Sequence, residues 1–256
     1  MSYLRITDLS VQLGHGPRLL RGVSLSVEVG QVHALVGESG AGKSMIGKAV
    51  LGILPRAAQV VAGSIELDGV DLLQLPPAER RRRIGAHCAL IPQDPLTALN
   101  PSRRIGGQIT DRLVDILGWT RARANARALE ILSEVQIEAP ERVLRCYPHE
   151  LSGGMRQRVL IASAFAAEPK LIVADEPTTA LDVTVQKQIL TLIAQLQARH
   201  GTAILFVTHD LGVVSKVSSA LSCPMRDDWP PASTAARRIN APWPATCAQP
   251  AVAAVS

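Results

Sequence analysis

Residues Val32–Ser44 read VHALVGESGAGKS, the most informative segment of this sequence. Its first five residues form a short, mostly apolar run that is typical of a buried strand. A glycine-rich loop follows and ends in Lys43 and Ser44, where a helix is predicted to begin and to continue to about Leu54. Glycines let successive backbone N–H groups curl around phosphate oxygens, and a helix start adds positive potential. The stretch therefore predicts a strand–loop–helix unit that binds phosphate.

The predicted phosphate loop matches the pattern GxxxxGK followed by Ser or Thr. It consists of Gly37, Glu38, Ser39, Gly40, Ala41, Gly42, Lys43 and Ser44. We expect Lys43 to reach the β- and γ-phosphates of a nucleoside triphosphate and the Ser44 hydroxyl to ligate Mg²⁺. The alternative is a glycine-rich turn that matches by chance. The strand before the loop and the helix after it argue against that alternative.

A second buried strand ends in two adjacent acids. Leu171–Ala174 is wholly apolar and leads into Asp175 and Glu176. Ligands of parallel sheets collect at the carboxyl ends of the strands. We therefore expect Asp175 to meet the Mg²⁺ held by Ser44, and Glu176 to polarise a water for in-line attack. Alone this pattern is a weak signal, and its weight comes from the phosphate loop upstream.

A second glycine-bearing helix start precedes this strand. Residues Leu151–Arg158 read LSGGMRQR, in which Ser152 is a natural N-cap and Gly153 and Gly154 leave the helix start bare enough to approach a phosphate. An ordinary capped helix is the alternative, but it does not explain two residues of weak helix propensity. Two phosphate-binding elements with one acid pair suggest a composite site shared across a dimer.

Together these residues resemble the ATP-binding subunits of ABC transporters. Leu151–Gln157 is similar to the family's signature motif, Gln93 to its Q-loop glutamine, Ala180–Asp182 to its D-loop and His209 to its switch histidine. Six motifs occur in the family's order over residues 1 to about 217. The resemblance implies an α/β P-loop NTPase fold: a RecA-like parallel sheet core, an antiparallel β subdomain and a helical insert subdomain. It places the ATPase domain at residues 1–221, with the insert at about 100–150.

The resemblance also implies ATP hydrolysis with Mg²⁺ and assigns roles to residues. The implied catalytic residues are Glu176 as general base, with Gln93 and His209 sensing the γ-phosphate. The implied metal ligands are Ser44, Gln93 and Asp175. The implied nucleotide contacts outside the phosphate loop are Ser152, Gly153, Gly154 and Asp182.

Three further segments narrow the resemblance. DPLTALNP at residues 94–101, YPHE at 147–150 and DEPTTALDVT at 175–184 are similar to the first ATPase subunit of dipeptide, oligopeptide and nickel importers. This implies a head-to-tail pair of ATPase subunits beneath two membrane permeases, on the cytoplasmic face of the inner membrane, with a solute-binding protein as an indirect partner. The Q-loop and the helical insert are then expected to receive the permeases.

The composition fits a globular, cytosolic protein, with 47% apolar and 19% charged residues, and no apolar stretch long enough to span a bilayer. The net charge of +5, with clusters such as Arg80–Arg83, is interpreted as a solvated face beside a membrane-associated partner. A nucleic-acid partner is not expected, because no stacking aromatics accompany these arginines. Cys88 lies in an apolar run and is predicted to be a core residue.

Two other function classes share these motifs. A soluble ATP-gated nucleic-acid clamp would suit the sequence pI of 9.3, but such proteins carry long heptad insertions, and the insert of about 50 residues has no sustained heptads. A nucleotide-binding remnant that cannot assemble is the other alternative. It rests on the irregular, Pro- and Ala-rich tail from about Ser222 to residue 256, where the family normally adds closing strands.

The sequence departs from the family's pattern in the tail and near Leu13, and each departure predicts a structural difference. If closing strands are missing, the early strands around Leu4–Val11 and Ser24–Val29 should present an unpaired sheet edge. The family usually has an adenine-stacking aromatic near Leu13, which is aliphatic here, and His15 is the nearby ring. We therefore expect base stacking to differ from the family's pattern.

Overall fold

The computed structural model of the chain describes residues 2–37, 40–179, 181–210 and 220–222. The strands are β1 (Ser2–Leu13), β2 (Arg18–Glu28), β3 (Val32–Val36), β4 (Ala58–Leu67), β5 (Val70–Asp71), β6 (Cys88–Ile91), β7 (Leu171–Asp175), β8 (Ala203–Thr208) and β9 (Ala220–Ser222). The α-helices are α1 (Lys43–Val50), α2 (Pro77–His87), α3 (Pro95–Ala98), α4 (Ile105–Asp111), α5 (Arg121–Glu134), α6 (Pro140–Arg145), α7 (Gly153–Ala166) and α8 (Val183–His200). A π-helical turn covers Arg112–Ile116, and a 3-10 turn covers Pro148–Glu150.

A parallel sheet forms the centre of the molecule, in the order β6-β7-β8-β3-β9. Along β7 the side chains alternate between two cores. Ile172 and Ala174 pack with α7, α8 and the insert, whereas Leu171 and Val173 pack with α1 and the other sheet. Because both faces are covered, the strand is apolar at every position up to Asp175, as the sequence predicted.

An antiparallel sheet packs against α1, in the order β2-β1-β4-β5. The alternation at residues 64–67 and the turn residues Asp68 and Gly69 predict a hairpin, and the structure confirms it. Leu67 pairs with Val70 across a two-residue turn, in which Asp68 and Gly69 both have positive φ. The expected unpaired edge is wrong for Leu4–Val11, since β1 is central and pairs with both β2 and β4. In this sheet as described, β2 and β5 are the two edge strands, so of the two segments expected to be unpaired the one around Ser24–Val29 lies at an edge.

The helical insert contains α4, α5 and α6. The apolar residues Ile109, Leu113, Ile116 and Leu117 follow a helical spacing, which predicts one amphipathic helix over residues 109–117 with Ile116 on its buried stripe. Instead α4 passes into the π-helical turn, whose wider spacing shifts that stripe, so Leu113 is fully buried while Ile116 is 46% exposed. The Arg112 guanidinium holds the turn in place by donating to the carbonyls of Gly85 and Cys88 at 3.1 and 2.7 Å.

A buried ion network joins the insert to the core. Arg127 on α5 donates to the Ala166 carbonyl at 3.2 Å and lies 3.2 Å from the Glu134 carboxylate, which also contacts His200 at 2.9 Å. Burial raises the pKa of Glu134, but the hydrogen bond with His200 and the Arg127 charge outweigh burial and hold that pKa below its usual range. The end of α5 is thereby fixed against the ends of α7 and α8.

Two element boundaries differ from those that the sequence predicts. Helix α1 ends at Val50 rather than near residue 54, since Gly52 has a φ of +66°. The short apolar run from Ala86 to Ile91 predicts a strand, but β6 begins only at Cys88, because α2 extends to His87. Cys88 itself is buried, as predicted. The helix predicted from Leu211 and the tail predicted beyond Ser222 lie outside the described residues. Throughout the described part of the chain, every helix is too short or too polar to cross a bilayer.

Candidate nucleotide-binding site

The predicted site residues follow the ends of four neighbouring parallel strands. Register pairs Val36 of β3 with Thr208 of β8, and Asp175 of β7 with Val207 of β8. Strand β6 ends at Ile91, beside β7. Because parallel strands end at the same edge, the phosphate loop, the acid pair, His209 and Gln93 all leave the sheet on one side.

The phosphate loop requires glycine at its end. Gly40 and Gly42 have φ of +85° and +83°, a region that other residues rarely adopt. A Cβ on Gly42 would lie 2.7 Å from the Leu20 Cδ2 atom and 3.0 Å from the Leu19 carbonyl. The loop is therefore pressed against β2, and Gly42 starts α1 in a left-handed conformation. The predicted loop also contains Gly37 and Ala41, which the structure describes. Its other two members, Glu38 and Ser39, lie outside the described residues.

Lys43 folds back across this loop. Its Nζ donates to the Gly37 carbonyl at 2.6 Å, and the residue is only 4% exposed. A lysine is almost never so buried without polar partners. The ammonium is thus held within the loop, where its charge favours phosphate oxygens.

Ser44 and Asp175 meet across 131 positions of sequence. The Ser44 hydroxyl donates to the Asp175 Oδ1 atom at 2.7 Å. These are hard oxygen donors, and Mg²⁺ in nucleotide sites takes one or two protein oxygens and completes its shell with phosphates and waters. The pair fits Mg²⁺. The third predicted ligand, Gln93, is exposed two residues beyond β6 and bonds to neither partner among the described contacts.

Glu176 and His209 form a second pair at the same edge. The Glu176 Oε1 atom lies 3.2 Å from the His209 Nδ1 atom, and its Oε2 atom accepts from the Thr179 hydroxyl at 3.0 Å. The Glu176 backbone has a φ of +47°, which is unusual for a non-glycine residue, and its N–H donates to the Val207 carbonyl at 2.9 Å. This strained backbone turns the carboxylate towards His209 rather than along the strand.

The start of α7, which carries the predicted signature motif, is not covered by other described side chains of the chain. Ser152 caps α7, accepting a hydrogen bond from the Met155 N–H at 3.3 Å. A Cβ on Gly153 would meet nothing within 4 Å, and one on Gly154 would reach only Val185 at an ordinary 3.7 Å. Both glycines have ordinary helical φ. Nothing described within the chain therefore requires glycine at either position.

Asp182, a predicted nucleotide contact, caps α8. Its Oδ1 atom accepts from the Val185 N–H at 2.9 Å, and the residue is exposed. The neighbouring Ala180 of the predicted D-loop lies outside the described residues. Within the chain the described role of Asp182 is thus that of a helix cap.

Sequence reasoning missed the side chains that hold the turn after Glu176. Gln157 on α7 donates to the Pro177 carbonyl at 2.7 Å, and Gln186 on α8 donates to the Thr178 hydroxyl at 3.2 Å. A signal was present for Gln157, a polar residue on the apolar side of a helix, but periodicity alone does not identify its partner.

The departure from the family's pattern at Leu13 lies at the end of β1, before the connection to β2. Leu13 is 40% exposed and is the last residue of β1. In β2, which follows, Leu19 and Leu20 lie against Gly42. His15 is exposed in the same connection. This part of the chain therefore presents an exposed aliphatic side chain and an exposed imidazole ring.

Comparisons with known proteins agree with this geometry. The family described as ABC transporter matches residues 20–179. The dipeptide transport ATP-binding protein DppD of Escherichia coli is 43% identical over 221 residues, which are 85% of this chain and 68% of that protein. The oligopeptide transport ATP-binding protein OppD of Bacillus subtilis is 44% identical over 223 residues, 86% of this chain and 62% of that protein.

A solved structure has the same fold. It is the dimeric, post-hydrolysis state of the ATP-binding cassette MJ0796 bound to ADP and phosphate, which is 25% identical with a TM-score of 0.74 and covers 86% of this chain and 93% of that chain. The fold is thus that of the P-loop NTPases, as expected from the sequence. The strand-end geometry, the family match and these relatives lead to one conclusion: the chain belongs to the ABC transporter family and is an ATPase of that type.

Proposed function

We propose that the chain hydrolyses ATP with Mg²⁺ in a pair of ATP-binding subunits and thereby powers the import of peptides or a related small solute. The observation that carries the proposal is the pairing of Glu176 with His209 beside the Ser44–Asp175 pair. Relatives named for dipeptide and oligopeptide transport support the solute class.

The phosphate loop binds the triphosphate. Backbone N–H groups at the start of α1 and the Lys43 ammonium favour the negative charge of the β- and γ-phosphates. Ser44, Asp175 and Gln93 would hold Mg²⁺, which would supply positive charge to stabilise the negative charge of the phosphates. Lys43 already faces the loop interior, so little reorganisation is needed on binding.

Hydrolysis uses Glu176 as the general base. Its carboxylate accepts a proton from a water as the water oxygen attacks the γ-phosphorus, and the bond from that phosphorus to the β–γ bridging oxygen breaks. The products are ADP and phosphate. His209, at 3.2 Å from Glu176, holds the carboxylate in place and presents its ring at the same edge, where it and Gln93 would sense the γ-phosphate.

The bare start of α7 serves the partner's nucleotide. Ser152, Gly153 and Gly154 expose a helix start that the chain's own described side chains leave uncovered. Opposed head to tail, a second subunit would place its phosphate loop there, and Asp182 would lie at the same junction. Two permeases are the membrane partners and a solute-binding protein an indirect one, which makes the chain peripheral to the cytoplasmic face of the membrane.

The test uses the complete transporter, purified through a tag on this chain together with its permeases and reconstituted in vesicles. We expect ATP supplied on the side of the ATPase subunits to drive uptake of a labelled dipeptide, and the Glu176→Gln transporter to show none. Vesicles that hydrolyse ATP but take up neither the dipeptide nor any related small solute would contradict the proposed import function.

A further inference from the structure

A buried glutamine links the signature helix to the catalytic turn. Gln157 lies on α7, is 1% exposed and donates through its Nε2 atom to the Pro177 carbonyl at 2.7 Å. Pro177 directly follows Glu176. One hydrogen bond therefore connects the helix that begins at Ser152 to the residue next to the general base.

The orientation of this amide follows from its partner. A proline carbonyl can only accept, so the amide NH₂ group must face it. The Gln157 Oε1 atom then faces the other way, and it has no hydrogen-bond partner among the described residues. A buried acceptor left in this way lowers stability. Packing alone would favour methionine here, so the glutamine is explained by the turn that it holds.

That turn needs to be held. Glu176 has a φ of +47°, and such a conformation persists only where surrounding contacts over-determine it. Gln157 anchors the turn from α7, and Gln186 anchors it from α8 through the Thr178 hydroxyl. Within the turn, Thr179 donates to the Glu176 carboxylate at 3.0 Å. A shift of either helix is therefore transmitted to the carboxylate.

We propose that Gln157 is a positioning residue for hydrolysis, which couples the signature helix to the Glu176 carboxylate of the same chain. The inference rests on the proposed function, in which the start of α7 contacts the partner's ATP. Occupancy of the partner's site then fixes α7, and through Gln157 it fixes the base of the chain's own site. The two sites of a pair are thereby linked without any contact between their nucleotides.

The test compares Gln157→Met with a matched glutamine. Gln197 on α8 also donates through Nε2 to backbone carbonyls, at 2.7 Å to Gly30 and 3.1 Å to Thr202, but near the amino ends of β3 and β8. We expect Gln157→Met to lower kcat at least about tenfold with KM within about twofold of wild type, the pattern of a lost transition-state interaction. Gln197→Met should leave kcat unchanged.

Steady-state ATPase assays on the assembled transporter and thermal unfolding of each variant provide the readout. A Gln157→Met kcat within about twofold of wild type, or an equal fall in Gln197→Met, would overturn the proposal. If Gln157→Met does not fold, Gln186→Met decides, since it removes the second anchor of the same turn at a less buried position. We expect its kcat to fall about threefold at unchanged KM, and a wild-type kcat would overturn the proposal.

Including Glu176→Gln in the series separates this inference from the function on which it rests. If Glu176→Gln keeps its turnover, the proposed general base is wrong. If Glu176→Gln loses its turnover while Gln157→Met keeps it, the proposed function stands and the positioning role alone is wrong.

Discussion

Two helix starts in this chain combine glycine with a hydroxyl residue, and they differ in what surrounds them. At the start of α1, Gly42 has a left-handed φ and a Cβ there would collide with Leu20. At the start of α7, Gly153 has helical φ and a Cβ would meet nothing within 4 Å. The first glycine is required by the fold of its own chain. The second is explained by something that approaches from outside it.

Burial shows the same contrast. Lys43 is 4% exposed and bonded into its loop, whereas Ser152 and Gly153 are exposed. The phosphate loop is packed by its own chain, whereas the start of α7 is exposed to solvent. A glycine motif can thus be locally complete in one part of a protein and depend on assembly in another.

Blocking the open helix start should have the largest effect. We expect Ser152→Arg to abolish hydrolysis, because a bulky side chain would occupy the surface that faces the partner's ATP, while nucleotide affinity of the isolated chain stays within about twofold. The measurements are phosphate release and equilibrium nucleotide binding. Thr120→Arg is the matched control, since Thr120 also caps an exposed helix start with a 3.3 Å bond and should leave activity intact.

Mixing two variants tests the shared site directly. Ser152→Arg and Lys43→Ala damage opposite halves of a shared site, so each mixed dimer keeps one intact composite site. A mixture no more active than either variant alone would mean that α7 does not serve the partner's nucleotide, or that both sites must be occupied together, as coupling through Gln157 requires.

Removing the general base should have the next largest effect. We expect Glu176→Gln to bind ATP and to lose turnover at least about a hundredfold, the usual scale for a general base. Glu168→Gln is the control: Glu168 shares the unusual backbone, with a φ of 48°, but lies 3.7 Å from Arg127 instead of near His209. Multiple-turnover phosphate release by Glu176→Gln near the wild-type rate would refute the role.

Alanine at the two glycines tests the comparison through stability. Gly42→Ala should lower the free energy of unfolding by about 3 kcal/mol, from the left-handed backbone and the collision with Leu20. Gly153→Ala should change it by no more than about 0.5 kcal/mol, because open space surrounds the added methyl. Urea denaturation of both variants measures the difference. Equal losses would show that the α7 start is also packed.

The smallest expected effect concerns acid. Burial lowers the pKa of His33, on the strand that leads into the phosphate loop, to about 4, against an opposing hydrogen bond with the Ser26 backbone. The folded pKa is below the unfolded value of 6.5, so this contribution is complete above about pH 6.5 and is lost as the pH falls towards 4. By pH 5 the loss is about 2 kcal/mol.

His33→Gln carries no titrating ring, so its stability should change less between pH 7 and pH 5 than that of the wild type. Urea unfolding at the two pH values measures the slope. An identical slope in both proteins would mean that His33 does not contribute to acid sensitivity. The start of α7 cannot be tested through pH in this way, since residues 151–166 contain no histidine.

Most of the fold could be predicted from local patterns. The apolar run at Leu171–Ala174 is buried on both faces, and the turn at Asp68–Gly69 has the positive φ values that its residues favour. The stripe through Ile116 failed because the π-helical turn is stabilised by Arg112 bonds to a distant helix and strand. The expected edge at β1 failed because pairing order in a sheet depends on contacts between remote segments.

By itself the sequence determined the phosphate loop, the acid pair, the capped glycine helix and their order along the chain. These depend on residue type and near neighbours, which set backbone conformation within a few positions. The sequence also placed Asp175 near Ser44, and the structure adds the direct bond between them. The pairing of Glu176 with His209 and the bond from Gln157 to Pro177 are visible in the tertiary structure alone. Strand order brings these groups together, and strand order is set by the burial of whole faces, which no local spacing encodes.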